Sequence, residues 1–547
     1  MTHSFPKTFI YLALFIAGAI QPLTFAPFDF WFLGPISIAL ILLITQGLAP
    51  KSSLQISTKK GFLYGWLFGL GLFGVGASWV YVSIHNFGHA SAFLAGSLTF
   101  IFICGIALFS GLIFSAFFKF RTNSILQNAL LFLVIWVLGD EFRTEFLTGF
   151  PWLFLGYGHL HSPLAGWIPI LGVYGVTLIT VATGISLTLL LSVRFSPRTS
   201  LPLTPLSAPA PLSVPLSSPA NVSSKVNIVV IVISAFWLAG PILNQISWSH
   251  QKGKTRSVAL VQSNIPQELK WKRSQRFKTM QLLEQLSQEH WQDDLIIWPE
   301  TAVPMLYDLA EPFLRKMSEQ AAANDSTIIS GIPSREINPA TGAQTIHNSI
   351  VSIGKGSGIY HKQKLVPFGE YVPLQDYLRG LIAFFDLPMS DFRKGSANQA
   401  LLKSFDFQIA PFICYEVVYP DFVASRAKNA DILLTISNDS WFGASLGPLQ
   451  HLEMAQMRAA ENGRYMIRAT NNGISAVIDE RGQIISQSQQ FVQTTLESKV
   501  KIMEGRTPFS YFGSLPLFIL CGIYLLGTLL NARLKARKTG QDATPAV

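Results

Sequence analysis

Eight apolar segments are the feature of this sequence that most limits what it can fold into. A helix needs about 20 mostly apolar residues to cross a bilayer. Segments of that kind lie near residues 8–24, 31–47, 62–83, 91–118, 125–140, 165–193, 226–245 and 511–531. Asp, Glu, Lys and Arg make up only 13% of the 547 residues, whereas soluble domains have about 25%. The sequence therefore predicts a multi-pass membrane protein and excludes a soluble enzyme.

The basic residues give the expected topology. A net charge of +10 could indicate a nucleic-acid-binding protein, but with charge this sparse we interpret the excess as loop charge and expect no nucleic-acid partner. Cytoplasmic loops collect Lys and Arg, so both chain ends are predicted to be cytoplasmic and residues 246–508 to lie outside. The basic residues that fall in alternate loops are Lys7; Lys51, Lys59 and Lys60; Lys119 and Arg121; Arg194 and Arg198; and Arg533, Lys535, Arg537 and Lys538.

The apolar segments divide the chain into three parts. Residues 1–245 are predicted to form seven membrane helices, with the Pro/Ser-rich stretch 196–224 as a cytoplasmic linker, and residues 509–547 to form an eighth helix with a basic tail. Residues 246–508 alternate short β-rich runs with helical stretches, which is typical of a compact α/β domain of about 250 residues. Strands are predicted over 257–261, 295–298, 327–331, 349–353, 410–414, 432–437 and 476–478, and helices over 274–290, 311–323 and 450–463.

Cys414 is a candidate nucleophile. It is the only cysteine of the α/β region, because Cys104 and Cys521 lie in predicted membrane helices. A lone thiol outside the cytoplasm has no disulfide partner. Cys414 follows the apolar run 409–413, and strand carboxyl ends are where α/β domains present reactive side chains. The alternative is a buried structural cysteine.

Glu300 is a candidate general base. It follows the apolar run 295–297 through Trp298 and Pro299, which places it at another strand end. A carboxylate held beside a Trp in a partly apolar pocket has a raised pKa and can accept a proton from a nucleophile. An exposed loop glutamate is the alternative interpretation.

A third element contains two lysines and a histidine. In an extended segment Lys362 and Lys364 share one face and His361 takes the other, and spacing does not choose between the lysines. A lysine near a thiol lowers the pKa of the thiol and stabilises an oxyanion. A Cys–His pair, with His347, His361 or His451 as the base, is the competing arrangement.

These elements resemble a known catalytic triad. Glu300 in W-P-E, Lys362 before L-V-P-F-G-E-Y, and Cys414 in I-C-Y-E are similar to the Glu-Lys-Cys triad of the carbon–nitrogen hydrolase (nitrilase) superfamily. With the eight apolar segments and the motifs N-D-S-W-F-G and Q-M-R-A-A-E-N-G-R-Y, nearly the whole chain resembles the bacterial apolipoprotein N-acyltransferase family. The resemblance implies an eight-helix bundle that carries an αββα sandwich.

The resemblance also implies the reaction and its partners. Cys414 takes an acyl chain from a phospholipid, with phosphatidylethanolamine as the expected donor, and passes it to the N-terminal amine of a diacylated apolipoprotein. Glu370 would orient Lys362, and Tyr415 and Glu416 would support the nucleophile. We expect no metal and no cofactor, a monomer, and a location in the bacterial inner membrane with the α/β domain in the periplasm.

Several apolar features are candidates for controlling access to the site. Trp271, Trp441 and Phe442 are candidate gating aromatics, with ordinary core packing as the alternative for each. The apolar stretch 381–389 could dip into the membrane interface as a lid, and the loop from Phe150 to Trp167 could line a lipid entrance.

An exported amidase and a transporter are the two alternative functions. An exported nitrilase-type amidase would need only one membrane helix as an anchor. The eight predicted helices therefore indicate that the bundle handles lipid. A transporter usually has ionisable groups at mid-membrane, whereas the acidic residues here cluster at the ends of the predicted spans, as Asp140 and Glu141 do.

Overall fold

Apolar helices occupy all eight predicted membrane positions. The computed structural model describes residues 6–88, 90–194, 219–338, 341–367, 369–371 and 392–541. The helices before the α/β region are α1 (Lys7–Ala19), α2 (Leu33–Thr45), α3 (Thr58–Gly76), α4 (Val80–Val82), α5 (Ala92–Phe120), α6 (Ile125–Glu145), α7 (Ile168–Arg194) and α8 (Pro219–Leu243). In the described ranges, five helices are long and apolar enough to cross a membrane. A sixth is added if α3 and the segment Val80–Phe87, which meet at 61°, form one bent span.

Two predicted spans are shorter than expected. Leu33–Thr45 and Leu515–Asn531 are apolar helices of 10–17 residues, less than the length of about 20 residues that a straight crossing needs. The chain is thus a membrane protein with several apolar helices, and the count of eight spans stays a prediction.

The Pro/Ser stretch and the lid are described only in part. Helix α8 already begins at Pro219, so the last residues of the predicted linker 196–224 are helical. Proline is well tolerated in the first turn of a helix. Pro219 therefore begins α8 instead of belonging to the linker, and the predicted end of the linker at residue 224 was too late. The remainder of that linker up to residue 218 and the apolar stretch 381–389 lie outside the described residues.

Small residues let the membrane helices approach closely. A Cβ atom on Gly71 would lie 2.0 Å from the carbonyl oxygen of Phe15 in α1, and one on Gly65 would lie 2.3 Å from that of Ser110 in α5. Glycine at such positions removes the side chain that would separate two backbones. Helix α3 therefore lies in direct backbone contact with α1 on one side and with α5 on the other.

The α/β region contains two large sheets. The strands are β1 (Ser249–Gln251), β2 (Arg256–Gln262), β3 (Leu295–Ile297), β4 (Thr327–Ile337), β5 (Gln344–Gly354), β6 (Gly356–Ser357), β7 (Ile359–His361), β8 (Leu402–Ser404), β9 (Phe407–Ile413), β10 (Ile432–Ser437), β11 (Met466–Thr470), β12 (Ala476–Ile478), β13 (Ile484–Gln487), β14 (Thr494–Val500) and β15 (Met503–Gly505). One sheet has seven strands in the order β13-β12-β11-β10-β9-β8-β6, and the other has six in the order β14-β2-β3-β4-β5-β7. Strands β2, β3 and β4 are parallel, as are β9, β10 and β11.

Successive residues along the strands pack on opposite faces of each sheet, and this produces a four-layer sandwich. In β10, Ile432 and Leu434 pack with the other sheet, whereas Leu433 packs with the helices on the outer face. A strand buried on both faces is apolar at nearly every position. The helices that follow in the chain are α9 (Gln267–Lys270), α10 (Arg276–Ser287), α11 (Tyr307–Ala323), α12 (Pro420–Ala427), α13 (Gly447–Asn462), α14 (Pro508–Phe512) and α15 (Leu515–Gln541). The six-stranded sheet is covered by α10 and α11, and the seven-stranded sheet by α12 and α13. The predicted αββα architecture is confirmed.

Helix α13 joins the sandwich to the membrane helices. Its residue Glu461 accepts a hydrogen bond at 2.8 Å from the backbone N–H of Val173, where α7 is interrupted at Gly172 (φ 63°). Near the other end of α13, Gln450 accepts one at 2.7 Å from the indole N–H of Trp152. The apolar residues of this helix belong to the same buried cluster as the membrane helices, so the two parts of the chain share one core.

Candidate active site

The three residues of the predicted triad come together at one edge of the sandwich. Glu300 follows β3, Lys362 follows β7 and Cys414 follows β9 directly. Asn438, at the end of β10, donates its backbone N–H to Glu300 across the two sheets at 2.9 Å. Because β10 runs parallel beside β9 and parallel strands present their carboxyl ends at the same edge, the ends of β3 and β9 lie close together although they belong to different sheets.

Lys362 lies between two carboxylates. Its Nζ is 2.7 Å from Glu370 Oε2, 2.9 Å from Glu370 Oε1 and 3.8 Å from Glu300 Oε1. Burial alone would lower the pKa of Lys362, but Glu370 and Glu300 together raise it above its ordinary value. Lys362 is therefore a permanent ammonium, able to face negative charge that develops during a reaction.

Glu300 is held at three points. Its Oε1 accepts a hydrogen bond from the side-chain amide of Asn348 at 2.8 Å, and its Oε2 accepts one from the backbone N–H of Asn438 at 2.9 Å. Its own carbonyl oxygen accepts one from the buried Lys270 Nζ, also at 2.8 Å. Burial raises the pKa of Glu300, and Lys362 opposes the rise. A fixed carboxylate with a raised pKa has the properties of a general base.

Sequence reasoning missed Asn348 and Lys270. Asn348 donates both to Glu300 and, at 2.9 Å, to Glu370, so one amide aligns both carboxylates around Lys362. The sequence shows only that Asn348 precedes the predicted strand 349–353 and that Lys270 precedes Trp271; the burial of both side chains is seen in the structure. A polar residue in an otherwise buried strand segment needs a buried partner, but the partner cannot be named before the fold is known.

The backbone at Cys414 has an uncommon conformation for a side chain-bearing residue. Its φ is 50°, in the left-handed region, where a strand turns into the short helical segment Cys414–Val418. Burial, followed by the charge of Glu300, raises the pKa of the Cys414 thiol to about 12, and Lys362 opposes this. The thiol is therefore protonated at neutral pH, and to act as a nucleophile it would need a neighbouring base to take its proton.

Glu416 connects the end of β9, before Cys414, to the segment that carries Lys362. One carboxylate oxygen accepts from the backbone N–H of Ile413 at 2.8 Å. The other accepts from the Tyr360 hydroxyl at 2.8 Å and from the backbone N–H of Gln363 at 2.6 Å. Since Gln363 follows Lys362 and Ile413 precedes Cys414, one buried carboxylate fixes the segments that carry Lys362 and Cys414 relative to each other.

The site faces the ends of the membrane helices. The hydroxyl of Tyr415 donates to the carbonyl oxygen of Gly149, just beyond α6, at 2.9 Å. Lys364 points the same way: its Nζ is 3.9 Å from Glu145 in α6 and lies over the Tyr419 ring. Of the two lysines that spacing left open, the structure brings Lys362 to the carboxylates and turns Lys364 toward the membrane helices.

The candidate histidine bases do not pair with the thiol. His451 approaches Cys414, but its Nε2 is 3.2 Å from the backbone carbonyl oxygen. His347 Nδ1 is 2.9 Å from the carbonyl oxygen of Arg393, and His361 Nδ1 is 2.8 Å from the hydroxyl of Ser349. No side-chain hydrogen bond joins a histidine to the Cys414 sulfur in the described part of the chain, so the geometry favours Glu300 as the base.

The three gating candidates occupy two different positions. Trp271 follows Lys270, whose Nζ donates to the Glu300 carbonyl oxygen, and the indole N–H of Trp271 finds no partner among the residues that the structure describes. Trp441 and Phe442 instead contact the bent membrane segment. The carbonyl oxygen of Trp441 accepts from the Ser83 hydroxyl at 2.7 Å, and the Phe442 ring centroid lies 4.8 Å from that of Trp79.

Comparisons with known proteins match both parts of the chain. Residues 257–505 match the carbon–nitrogen hydrolase family, and residues 17–186 match the apolipoprotein N-acyltransferase N-terminal domain. An apolipoprotein N-acyltransferase of Pseudomonas paraeruginosa is 45% identical over 531 residues, covering 96% of this chain and 97% of that protein.

Other relatives extend the comparison. The apolipoprotein N-acyltransferase of Pseudomonas syringae pv. tomato is 44% identical over 95% of this chain and 96% of its own length. Among solved structures, Saccharomyces cerevisiae Nit3, a member of the nitrilase superfamily, is 18% identical with a TM-score of 0.34, covering 46% of this chain and 91% of that one. The full-length identity to the bacterial enzymes shows that the chain belongs to the apolipoprotein N-acyltransferase family.

Proposed function

We propose that this chain transfers a fatty acyl chain from a membrane phospholipid to the N-terminal amine of a diacylated apolipoprotein through a thioester on Cys414. Its relatives are named for N-acylation of apolipoproteins. Phosphatidylethanolamine is the proposed acyl donor and a monomer the proposed working form. Residues 246–508 form the proposed catalytic domain, on the periplasmic side of the inner membrane, with both chain ends in the cytoplasm.

The first half-reaction loads the enzyme. Glu300 takes the thiol proton while the sulfur of Cys414 forms a bond to the ester carbonyl carbon of the phospholipid. The resulting oxyanion is stabilised by the Lys362 ammonium and a backbone N–H. The ester C–O bond then breaks, Glu300 returns its proton to the leaving oxygen, and a lysophospholipid departs from the thioester.

The second half-reaction uses the same groups in reverse. The neutral N-terminal amine of the apolipoprotein attacks the thioester carbonyl, and Glu300 receives the proton that the amine loses. The C–S bond breaks, the sulfur is reprotonated by Glu300, and the amide product leaves. Glu370 keeps Lys362 in position in both steps through their 2.7 Å contact.

The observation that carries this proposal is the orientation of the site toward the membrane helices. The residue next to the nucleophile, Tyr415, is hydrogen-bonded to the loop after α6, and helix α13 shares its core with the membrane helices. An amidase that uses its helices as an anchor needs no such contact. A site that excludes water and receives lipid does, because a thioester must survive until a bulky amine arrives.

A two-substrate assay tests the proposal. Purified wild-type protein and the Cys414→Ala variant are incubated with phosphatidylethanolamine and a synthetic diacylated lipopeptide, and the triacylated product is measured by mass spectrometry. We expect product only with the wild type. N-acylation by the variant would refute the mechanism, and hydrolysis of simple amides by the wild type without acyl transfer would support the amidase alternative.

A further inference from the structure

The carbonyl oxygen of the nucleophile has its own hydrogen-bond donor. Cys414 adopts a left-handed conformation (φ 50°), which costs energy for a residue with a side chain and persists only where its surroundings enforce it. His451, from α13, reaches the Cys414 carbonyl oxygen with its Nε2 at 3.2 Å. His451 is fully buried, so this contact is protected from water.

The neighbours of His451 fix its protonation state. Its Nδ1 lies 3.1 Å from Nη2 of Arg468 and 3.3 Å from Oδ1 of Asp439. A carbonyl oxygen can only accept, so Nε2 carries a proton. Asp439 Oδ1 already accepts from the Ser437 hydroxyl at 2.6 Å and a guanidinium can only donate, so we assign Nδ1 as the acceptor from Arg468 and the ring as neutral. Asp439, 2.6 Å from the same Nη2, balances the charge of Arg468. Burial and Arg468 lower the pKa of His451, in agreement with a neutral ring.

A neutral His451 of this tautomer is not a base for the thiol. Its one free lone pair, on Nδ1, is engaged by Arg468, and its N–H is directed at the Cys414 carbonyl. The imidazole can therefore influence the reaction only through the peptide unit that it holds.

That peptide unit links Cys414 to Tyr415. In a planar trans peptide the C=O and the following N–H point in opposite directions, so a donor that fixes the Cys414 C=O also aims the Tyr415 N–H. In the described part of the chain, no backbone acceptor outside this short helical segment takes up the Tyr415 N–H, as expected at the first turn of a helical segment. It lies next to the nucleophile, where the oxyanion of the acyl-transfer intermediate forms.

We propose that His451 is a positioning residue for acyl transfer: by holding the Cys414 carbonyl it aims the Tyr415 N–H at the oxyanion. The proposal rests on the proposed function. Arg468 and Asp439 keep His451 in the donating tautomer. The group that touches the reacting atoms is the Tyr415 N–H, and His451 acts through it.

Two reactions of the same sulfur separate this role from a merely structural one. Thioester formation passes through an oxyanion, whereas alkylation of the thiol by iodoacetamide does not. We expect His451→Leu to slow thioester formation about 100-fold, the effect of losing one oxyanion donor, with alkylation of Cys414 changed less than about threefold. Peptide mass spectrometry distinguishes Cys414 from Cys104 and Cys521.

An isosteric pair keeps the test decisive if His451→Leu does not fold. His451→Gln retains an N–H donor for the carbonyl, whereas His451→Glu is an acceptor that Arg468 can pair with. We expect thioester formation to be at least tenfold faster in the Gln variant than in the Glu variant. His290→Leu is the control, because His290 is buried in the same domain but pairs with Asp293.

The outcomes are distinct. Equal thioester rates in the Gln and Glu variants, or an unchanged rate in His451→Leu, would overturn the proposal. Loss of both thioester formation and alkylation in a folded His451→Leu protein would also overturn it, since the histidine would then act on the thiol itself. Absence of any thioester in the wild type would instead refute the proposed function.

Discussion

Replacing Asn348 with leucine should change the pH dependence of the first half-reaction. The Asn348 amide donates to Glu300 at 2.8 Å and to Glu370 at 2.9 Å. Its hydrogen bond lowers the pKa of Glu300, against the dominant effect of burial. Without it the pKa of Glu300 rises further, so the base is protonated over a wider acidic range. Thioester formation should therefore begin to fall at a higher pH in the variant.

The size of the effect follows from the two hydrogen bonds. A bond to a charged group contributes about 1.5–3 kcal/mol, and about 1.4 kcal/mol corresponds to a tenfold change in an ionisation equilibrium. Loss of the bond to Glu300 should therefore slow thioester formation by at least about tenfold on the acidic side of the profile. The effect should be smaller at higher pH, where the carboxylate is ionised in both proteins.

The assay is a single-turnover measurement. Wild type and Asn348→Leu are mixed with phospholipid and no acceptor, and the acylated fraction is followed by intact-protein mass spectrometry at several pH values. Ser349→Ala is the matched control, because this neighbouring hydroxyl bonds Ser334 and His361 and not the carboxylates. Identical pH profiles for wild type and Asn348→Leu would refute the reasoning.

Three further predictions test other parts of the site and fold. Glu416→Gln turns an amide N–H toward groups that already donate hydrogen bonds, which costs about 1–3 kcal/mol. We expect this variant to have a lower unfolding temperature and slower thioester formation. No change in either quantity would contradict the role of Glu416 in fixing the segments of Lys362 and Cys414 relative to each other. Burial raises the pKa of Glu300 above its ordinary value of 4.5. The wild-type rate of thioester formation should therefore fall as the pH drops through that raised pKa. A rate that stays constant down to pH 4.5 would exclude Glu300 as the base. Gly172→Ala would place a Cβ atom 2.2 Å from the Phe509 ring at a residue whose φ is 63°, which costs about 1–3 kcal/mol. The unfolding temperature of this variant should therefore drop. Gly96→Ala is the control, because the space around Gly96 is open, and its unfolding temperature should stay near that of the wild type.

Much of the sandwich could be predicted from sequence because its strands are buried on both faces. Each of the seven predicted strands overlaps a strand of the structure, since a continuous apolar run between turn residues leaves few other interpretations. Strand β11 escaped prediction. It carries Arg468, which is fully buried and paired with Asp439, and a charge within a short apolar run argues against a core strand until its partner is known.

The limits of prediction at the site have the same cause. Glu300, Lys362 and Cys414 stand at segment ends within recognisable motifs, so the sequence could nominate them. The choice between Lys362 and Lys364 depends on which side chain meets Glu370, and the role of His451 depends on a contact with a backbone carbonyl. Contacts between residues distant in sequence are set by the fold, and the local sequence pattern does not predict them.

The central claim is that Cys414 carries the fatty acid between the two substrates. Its most direct test is mass spectrometry of the purified protein after incubation with phospholipid alone. We predict one added acyl chain on the peptide that contains Cys414, which disappears when a diacylated lipopeptide is supplied. Triacylated lipopeptide formed at the normal rate by a protein that never carries an acyl chain on Cys414 would contradict the account.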